Sequence, residues 1–215
     1  MKKDLCKICR RFNQKLFLKG ERCFSSKCAM VKKPYPPGIK TKKRKFRQTE
    51  YGKQLAEKQK LKISYGLSEE QFKKYVSQVL KKRGRAKDEA EELIKKLEKR
   101  FDNVIYRLGI ASSRKQARQL VSHGFFLVNG KSIDIPSYEV KQNDVITLKK
   151  EKLQKNFFKE ISAIFKKKIL PSWLKFEKPA VQTQEKFKAK VIAEPSLKEM
   201  APSAEISVIF EFYSR

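Results

Sequence analysis

SSRKQARQLVSHGFFLVNGKSI, residues 112 to 133, decides the fold. Ser112 or Ser113 can cap a helix, because a serine oxygen accepts the unpaired N–H groups of a first turn. Ala117, Leu120 and Val121 fall at i, i+3 and i+4 and make one narrow apolar stripe. Arg114, Lys115, Arg118 and Gln119 take the opposite side. Gly124 ends the helix, since glycine adopts the left-handed C-terminal conformation freely. Phe125 to Val128 read as a strand, Asn129-Gly130 as a type I′ turn that needs positive φ at both positions, and Lys131 to Ile133 as the returning strand. The stretch is a small platform with cations on one helix face and at a hairpin tip.

Working outward, Phe101, Val104, Ile105 and Leu108 form the stripe of a preceding helix that Gly109 terminates, with Arg107 as its exposed cation. The helix at 114 taken alone would equally suit the wetted surface of any globular protein. With its hairpin attached, the order and spacing resemble the small RNA-binding module of ribosomal protein four, pseudouridine synthases and tyrosyl-tRNA synthetases. His123, the one histidine, lies beside Gly124; with no Asp or Ser partner in sequence it reads as a surface contact or a C-terminal cap rather than a base.

Charge narrows the function classes. Among 215 residues there are 53 Lys and Arg against 23 Asp and Glu, a formal charge of +30. Self-repulsion on that scale calls for a polyanionic partner, nucleic acid before an acidic membrane surface. No apolar run approaches the roughly 20 residues of a membrane span, and the N-terminus lacks the apolar core of a signal peptide. An intracellular protein with no membrane partner is expected.

All four cysteines, Cys6, Cys9, Cys23 and Cys28, lie in the first 28 residues, as C-x2-C and C-x4-C separated by thirteen residues. In an intracellular chain such clustering favours a metal over disulfides. Four thiolates suit tetrahedral zinc and leave no open position for a substrate, so the role would be structural. An iron–sulfur cluster takes the same ligands, and four free thiols are the remaining alternative. Lys7, Arg10, Arg11 and Lys27 nearby would favour the thiolate forms.

Residues 32 to 62 carry twelve cations and two acids, Glu50 and Glu57. Lys42-Lys43-Arg44-Lys45 follows Pro34-Tyr-Pro-Pro-Gly38, so an extended arm is expected that orders against phosphates. A nuclear-targeting signal is the rival reading of the basic run. Tyr51 to Leu61 can form a helix. Ser68 and Gln71 make a capping box, with Leu67 stapling to Phe72, and Phe72, Tyr75, Val76, Val79 and Leu80 carry that helix's core stripe. Gly84 marks a break before a second pattern through Ala90, Leu93, Ile94 and Leu97. Beyond the hairpin, Val145 to Leu148 read as a strand, and Leu153, Phe157, Ile161, Ile164 and Phe165 as a helix ending before Pro171. Residues 176 to 203 lack strong periodicity and are expected to wrap the surface. Ile206 to Arg215 alternate like a strand and should pack back onto the chain.

The pieces together resemble the bacterial-type ribosomal protein four family of the small subunit. The resemblance rests on the cysteine knuckle with Leu18-Lys-Gly-Glu-Arg22 between its pairs, Pro34-Tyr-Pro-Pro-Gly38, Glu57-Lys-Gln-Lys-Leu61 with Tyr65-Gly66, and Asp102-Asn-Val-Ile-Tyr-Arg-Leu-Gly109. It continues through Ser113-Arg-Lys-Gln-Ala-Arg-Gln-Leu120, Val128-Asn-Gly130, Pro136-Ser-Tyr138 and Glu211-Phe-Tyr-Ser-Arg215. The family often has a basic residue before the module's histidine; this chain has Ser122.

The expected class is α+β: an N-terminal four-cysteine metal knuckle and helical domain, with an inserted RNA-binding module of helices plus a small antiparallel sheet. The expected divisions are 1–45 for knuckle and arm, 46–98 for the helical domain, 99–195 for the module and following helix, and 196–215 for the returning segment. The resemblance implies no enzyme. It implies a cytoplasmic protein of the small ribosomal subunit (an organellar ribosome being the variant) that binds small-subunit ribosomal RNA directly and starts assembly of its five-prime domain. It further implies contact with ribosomal protein five, proximity to messenger RNA where it enters the subunit, an influence on decoding accuracy, and in some members repression of their own messenger. The RNA-binding residues expected are Lys42, Lys43, Arg44, Lys45 and Arg47 in the arm, and Arg107, Ser113, Arg114, Lys115, Gln116, Arg118, Gln119, His123, Asn129 and Lys131 in the module. An RNA-modifying enzyme using the module as an appendage would need a catalytic domain whose motifs (P-loop, zinc-protease helix, nucleophile elbow) are not in the sequence. A stand-alone factor for stalled ribosomes would not need the cysteine knuckle.

Overall fold

Asp4, Thr49, Ser68 and Ser113 each accept a backbone N–H at the start of a helix, from Cys6, Gly52, Gln71 and Gln116 at 3.1, 3.2, 3.2 and 3.3 Å. These caps mark out the framework of the computed structural model, which describes residues 4–38, 48–82, 88–149, 170–177, 187–200, 202 and 204–214. The described elements are α1 (Leu5–Phe12), α2 (Ala29–Lys32), α3 (Glu50–Ser64), α4 (Glu69–Leu80), α5 (Glu89–Glu98), α6 (Phe101–Arg107) and α7 (Arg114–Ser122). They continue with β1 (Phe126–Val128), β2 (Lys131–Ser132), β3 (Val145–Leu148), β4 (Leu174–Glu177), β5 (Lys188–Val191), α8 (Leu197–Met200) and α9 (Ile206–Ser214). The helix expected from Leu153 to Phe165 lies outside the described residues. The chain divides into two compact units, Met1–Leu93 with Ala201–Arg215, and Ile94–Met200.

In the second unit, Phe101, Val104, Ile105 and Leu108 are fully buried, as the stripe demands. The start of α6 is tied to the loop after the hairpin: Phe101 and Asp102 donate their N–H groups to the carbonyls of Tyr138 and Pro136, and Val140 donates to Lys99. The sheet is antiparallel, in the order β2-β1-β3-β5-β4. Asn129 and Gly130 have φ of 49° and 79°, which is the type I′ geometry the sequence calls for.

Two corrections fall on the stretch from 176 to 203. It does not merely wrap the surface: β5 is an interior strand of the sheet, paired on both sides, and α8 follows it. Lys188-Ala-Lys-Val191 alternates half-buried Lys with buried Ala and Val. A strand of four residues with two lysines shows too little apolar contrast to stand out.

The first unit holds α3 and α4, whose Leu61, Phe72, Val76 and Val79 are fully buried. Against them packs α9, and here a third correction applies. Residues 206 to 214 are a helix, not a strand. Ile206, Ile209 and Phe210, at i, i+3 and i+4, are the buried set. The same residues also fit alternation through Ile206, Val208, Phe210 and Phe212, so packing decides between the two periods.

A polar cluster fixes this helix in place. Glu69 accepts from Lys58 at 2.5 Å, Lys62 at 2.7 Å and the Tyr213 hydroxyl at 3.0 Å. The Lys58 ammonium also lies 4.5 Å from the centre of the Phe212 ring. Gln54 donates to Glu211 at 3.2 Å. Partial burial would raise the Glu69 carboxyl, but hydrogen bonds from Lys58, Lys62 and Tyr213 outweigh it and hold it at about 2, against an ordinary value of 4.5. Because the folded value is the lower, the stabilisation is present above 4.5 and is lost as pH falls towards 2. Urea unfolding followed by far-ultraviolet dichroism should therefore show a midpoint that drops across that window. Glu69→Gln should flatten the drop; equal slopes in the two proteins would remove Glu69 from the explanation.

Candidate nucleic-acid interface

The exposed face of α7 is set by what its other face must bury. Ala117 and Val121 have no exposure, so Lys115, Arg118 and Gln119 project into solvent. Ser113 caps the helix, and the Gln116 carboxamide oxygen accepts from both the N–H and the hydroxyl of Ser112, each at 2.8 Å. Ser113 and Gln116 thus have a definite structural task at the helix start. His123 sits exposed at the C-terminal end, its ring 6.4 Å from that of Phe125. Gly124 follows with φ of 65°.

Two cations expected to face RNA are held by the protein itself. Arg107 is half-buried and makes a forked contact to Glu98, Nε donating to Oε2 at 2.9 Å and Nη2 to Oε1 at 2.7 Å. Glu98 is completely buried and also accepts from Asn103 Nδ2 at 2.7 Å. Asn103 Oδ1 in turn accepts from Arg114 Nε at 2.7 Å, and the Arg114 guanidinium lies 4.6 Å from the Tyr106 ring centre. The series Arg107–Glu98–Asn103–Arg114 therefore joins α5, α6 and α7. Glu98 and Asn103 escape a sequence reading because each lies on a different element from the arginine it holds, so helical period does not connect the partners.

The hairpin tip shows the same pattern. Asn129 is exposed, yet its Nδ2 donates to Asp144 at 2.8 Å and its Oδ1 accepts from the Val145 N–H at 2.9 Å. Its amide joins the turn to β3. Lys131 is exposed. Lys42, Lys43, Arg44, Lys45 and Arg47 lie outside the described residues.

The sheet contributes cations that periodicity does not reveal. Register places Lys175 opposite Lys190, and Glu177 opposite Lys188 with an ion pair at 2.8 Å. A hydrogen bond from Lys188 lowers the Glu177 carboxyl, and the charges of Lys190 and Lys175 add to the effect. Like charges directly opposite on neighbouring strands are unfavourable, and an anion lying over them would relieve the repulsion.

In the first unit, Cys6 and Cys9 lie on α1, Cys23 ends the 3-10 turn Gly20–Cys23, and Cys28 stands just before α2. None is in a disulfide. The Lys19 N–H donates to Cys23 Sγ at 3.3 Å. Burial pushes the Cys9 thiol up, against a backbone hydrogen bond from Leu16, and Cys23, Cys6 and Cys28 push it further. For Cys9 this runs against the expectation that its basic neighbours favour the thiolate, because burial outweighs them. In kind and number the four thiols fit zinc. As placed they do not close on an ion: among the described residues no group of three or more Cys, His, Asp or Glu is arranged to hold one. No helix among the described residues is long and apolar enough to cross a membrane.

A capped helix bearing outward cations, a hairpin on its exit and a lysine-bearing sheet define an RNA-binding module. Comparison with known proteins gives the particular family. The family described as "Ribosomal protein S4/S9 N-terminal domain" matches residues 1–102, and that described as "S4 domain" matches residues 99–146. The chain is 47% identical to a protein named "Small ribosomal subunit protein uS4" from Caldicellulosiruptor saccharolyticus, over 98% of this chain and 96% of the relative. It is 43% identical to the uS4 of Thermodesulfovibrio yellowstonii over 99% and 97%, and 41% identical to that of Thermotoga maritima over 98% and 97%. The chain belongs to the uS4 family of small ribosomal subunit proteins, which are structural components and not enzymes.

The geometry separates a cation held by the protein, Arg114, from an exposed one, Lys115. Arg114→Ala leaves Asn103 Oδ1 without its donor and removes the stack on Tyr106, so urea unfolding should show a loss of about 1–2 kcal/mol. Lys115→Ala should change stability by less than about 0.5 kcal/mol while weakening RNA binding in a filter assay. Equal effects of the two variants on stability would contradict the division.

Proposed function

We propose that this protein is a structural ribosomal component that binds small-subunit ribosomal RNA directly, without catalysis. The observation that carries the reading is the match to uS4 proteins along nearly the whole chain; the exposed cations of α7 and the hairpin, with Lys175 on β4, support it. Double-stranded RNA offers mainly phosphates, 2′-hydroxyls and shape, because its deep major groove excludes side chains. Recognition would therefore be of a multi-helix junction in the five-prime domain, whose angles the basic surfaces fix. Early binding there would start assembly of that domain. Neighbouring small-subunit proteins, ribosomal protein five foremost, would be its protein contacts. A position near incoming messenger RNA would give it a part in decoding accuracy. The place of action is the small ribosomal subunit in the cytoplasm.

Zinc on Cys6, Cys9, Cys23 and Cys28 belongs to the same proposal, with an iron–sulfur cluster as the alternative. Its support is the spacing of the thiols and the Lys19 N–H that donates to Cys23 Sγ. The metal would be structural. Elemental analysis should find close to one zinc per chain, and chelation should lower the thermal stability of the chain. Metal-free protein of full stability would exclude the metal, and iron with acid-labile sulfide would select the alternative.

Phosphate contacts release counterions, so affinity for a transcript of the small-subunit five-prime domain should fall steeply with salt. The drop expected is about a thousandfold or more between about 50 and 200 mM for six or more phosphates neutralised. A flat salt response, or equal affinity for an unrelated duplex, would refute the reading, as would failure to sediment with small subunits.

A further inference from the structure

Phe24 is 72% exposed, the most exposed large hydrophobic side chain among the described residues. A single apolar side chain in water is ordinary. Phe24 is not single: its ring stacks on that of Phe17, with centroids 5.0 Å apart and planes at 28°. Phe17 is itself 38% exposed and has φ of 51°, in the left-handed region that bulky side chains avoid. A disfavoured backbone is thus kept where it supports an aromatic pair that faces solvent rather than the core. Strain that persists in this way marks sites where geometry matters to function.

The backbone around the pair is fixed by local hydrogen bonds. The Phe24 N–H donates to the Glu21 carbonyl at 3.0 Å, the Ser25 hydroxyl donates to the Arg22 carbonyl at 3.2 Å, and the Lys27 N–H donates to the Ser25 hydroxyl oxygen at 3.3 Å. Beside it opens a cleft lined by Glu21, Arg22, Ser25, Lys27 and Lys32, three cations to one acid. No salt bridge occupies Arg22, Lys27 or Lys32 among the described residues.

We propose that Phe24, backed by Phe17, is a stacking platform for one unpaired nucleobase of an RNA strand, whose neighbouring phosphates lie in the Arg22–Lys27–Lys32 cleft. Charge complementarity selects this occupant. An apolar protein surface covering Phe24 would strip water from three cations without pairing them. An RNA strand brings a flat π-face and negative charge together, the combination that single-strand binding sites use. The platform also does what the module's cations cannot: it recognises a base that has left its helix, and so a junction rather than a duplex. The proposal rests on the ribosomal-RNA reading and deepens it.

The test uses the full chain and a transcript of the small-subunit five-prime domain. Phe24→Leu keeps bulk and loses the ring; Phe24→Trp keeps the ring. Phe24→Leu should weaken binding roughly five- to a hundredfold, the range for losing one base–aromatic stack, with an unchanged salt slope. Phe24→Trp should bind like the unsubstituted protein, and Lys27→Ala with Lys32→Ala should lower the salt slope. Base-specific chemical probing should show one unpaired nucleotide becoming reactive in the Phe24→Leu complex while the rest of the footprint stays protected. If Phe24→Leu binds as tightly as the unsubstituted protein with the same footprint, the platform is overturned and the ribosomal-RNA reading stands. If leucine and tryptophan weaken binding equally, the ring's π-face is not what binds. If the unsubstituted protein shows no preference for the transcript over an unrelated duplex, both fall together.

Discussion

A carboxylate with no exposure to water, Glu98, stands where three helices meet. A buried charge of that kind is tolerated only when its lone pairs are met by good donors. Asn103 and the forked Arg107 supply them, and Asn103 passes the constraint on to Arg114. The orientation of α7, and with it the direction in which Lys115 and Arg118 project, follows from this joint. Each member shares its partner with the next, so the series behaves as a unit rather than as a sum of contacts.

The same pairing explains how a chain of +30 folds. Its carboxylates sit where cations crowd. Asp102 holds the buried Arg100 at 2.7 Å, Glu69 gathers Lys58, Lys62 and Tyr213, Glu194 takes Lys99 and Lys95, and Glu177 sits among Lys188, Lys190 and Lys175. Each carboxylate neutralises cations that the fold needs close together. Among the described residues, Lys115 and Lys131 stay exposed, and such charge suits a partner of the opposite sign.

Sequence legibility follows the strength of local signals. The caps at Ser68 and Ser113, the stripe through Phe101 and Leu108 and the Asn129-Gly130 turn each depend on residues within a few positions of one another, and each can be read directly. β5 cannot, because its place between β3 and β4 is a matter of pairing partners rather than of Lys188-Ala-Lys-Val191 itself. α9 reads as a strand because its apolar residues fit two periods at once. At the site, charge and helical phase pick out Lys115 and Arg118 as outward-facing, but cannot show that Arg107, Arg114 and Asn129 are engaged by Glu98, Asn103 and Asp144. Those partners come from other elements, and hydrogen bonding across elements leaves no mark in spacing.

The docking of α9 has a consequence for how the chain is made. Tyr213 meets Glu69 across 144 positions of sequence, and Glu211 meets Gln54 across 157. During synthesis from the N-terminus, α3 and α4 present an unfinished apolar surface while the entire second unit is produced. The intervening unit, self-contained from Ile94 to Met200, is free to fold in that interval. Closure of the first unit is therefore a late, long-range event, and a chain interrupted before residue 206 would keep that surface open to water and to chaperones.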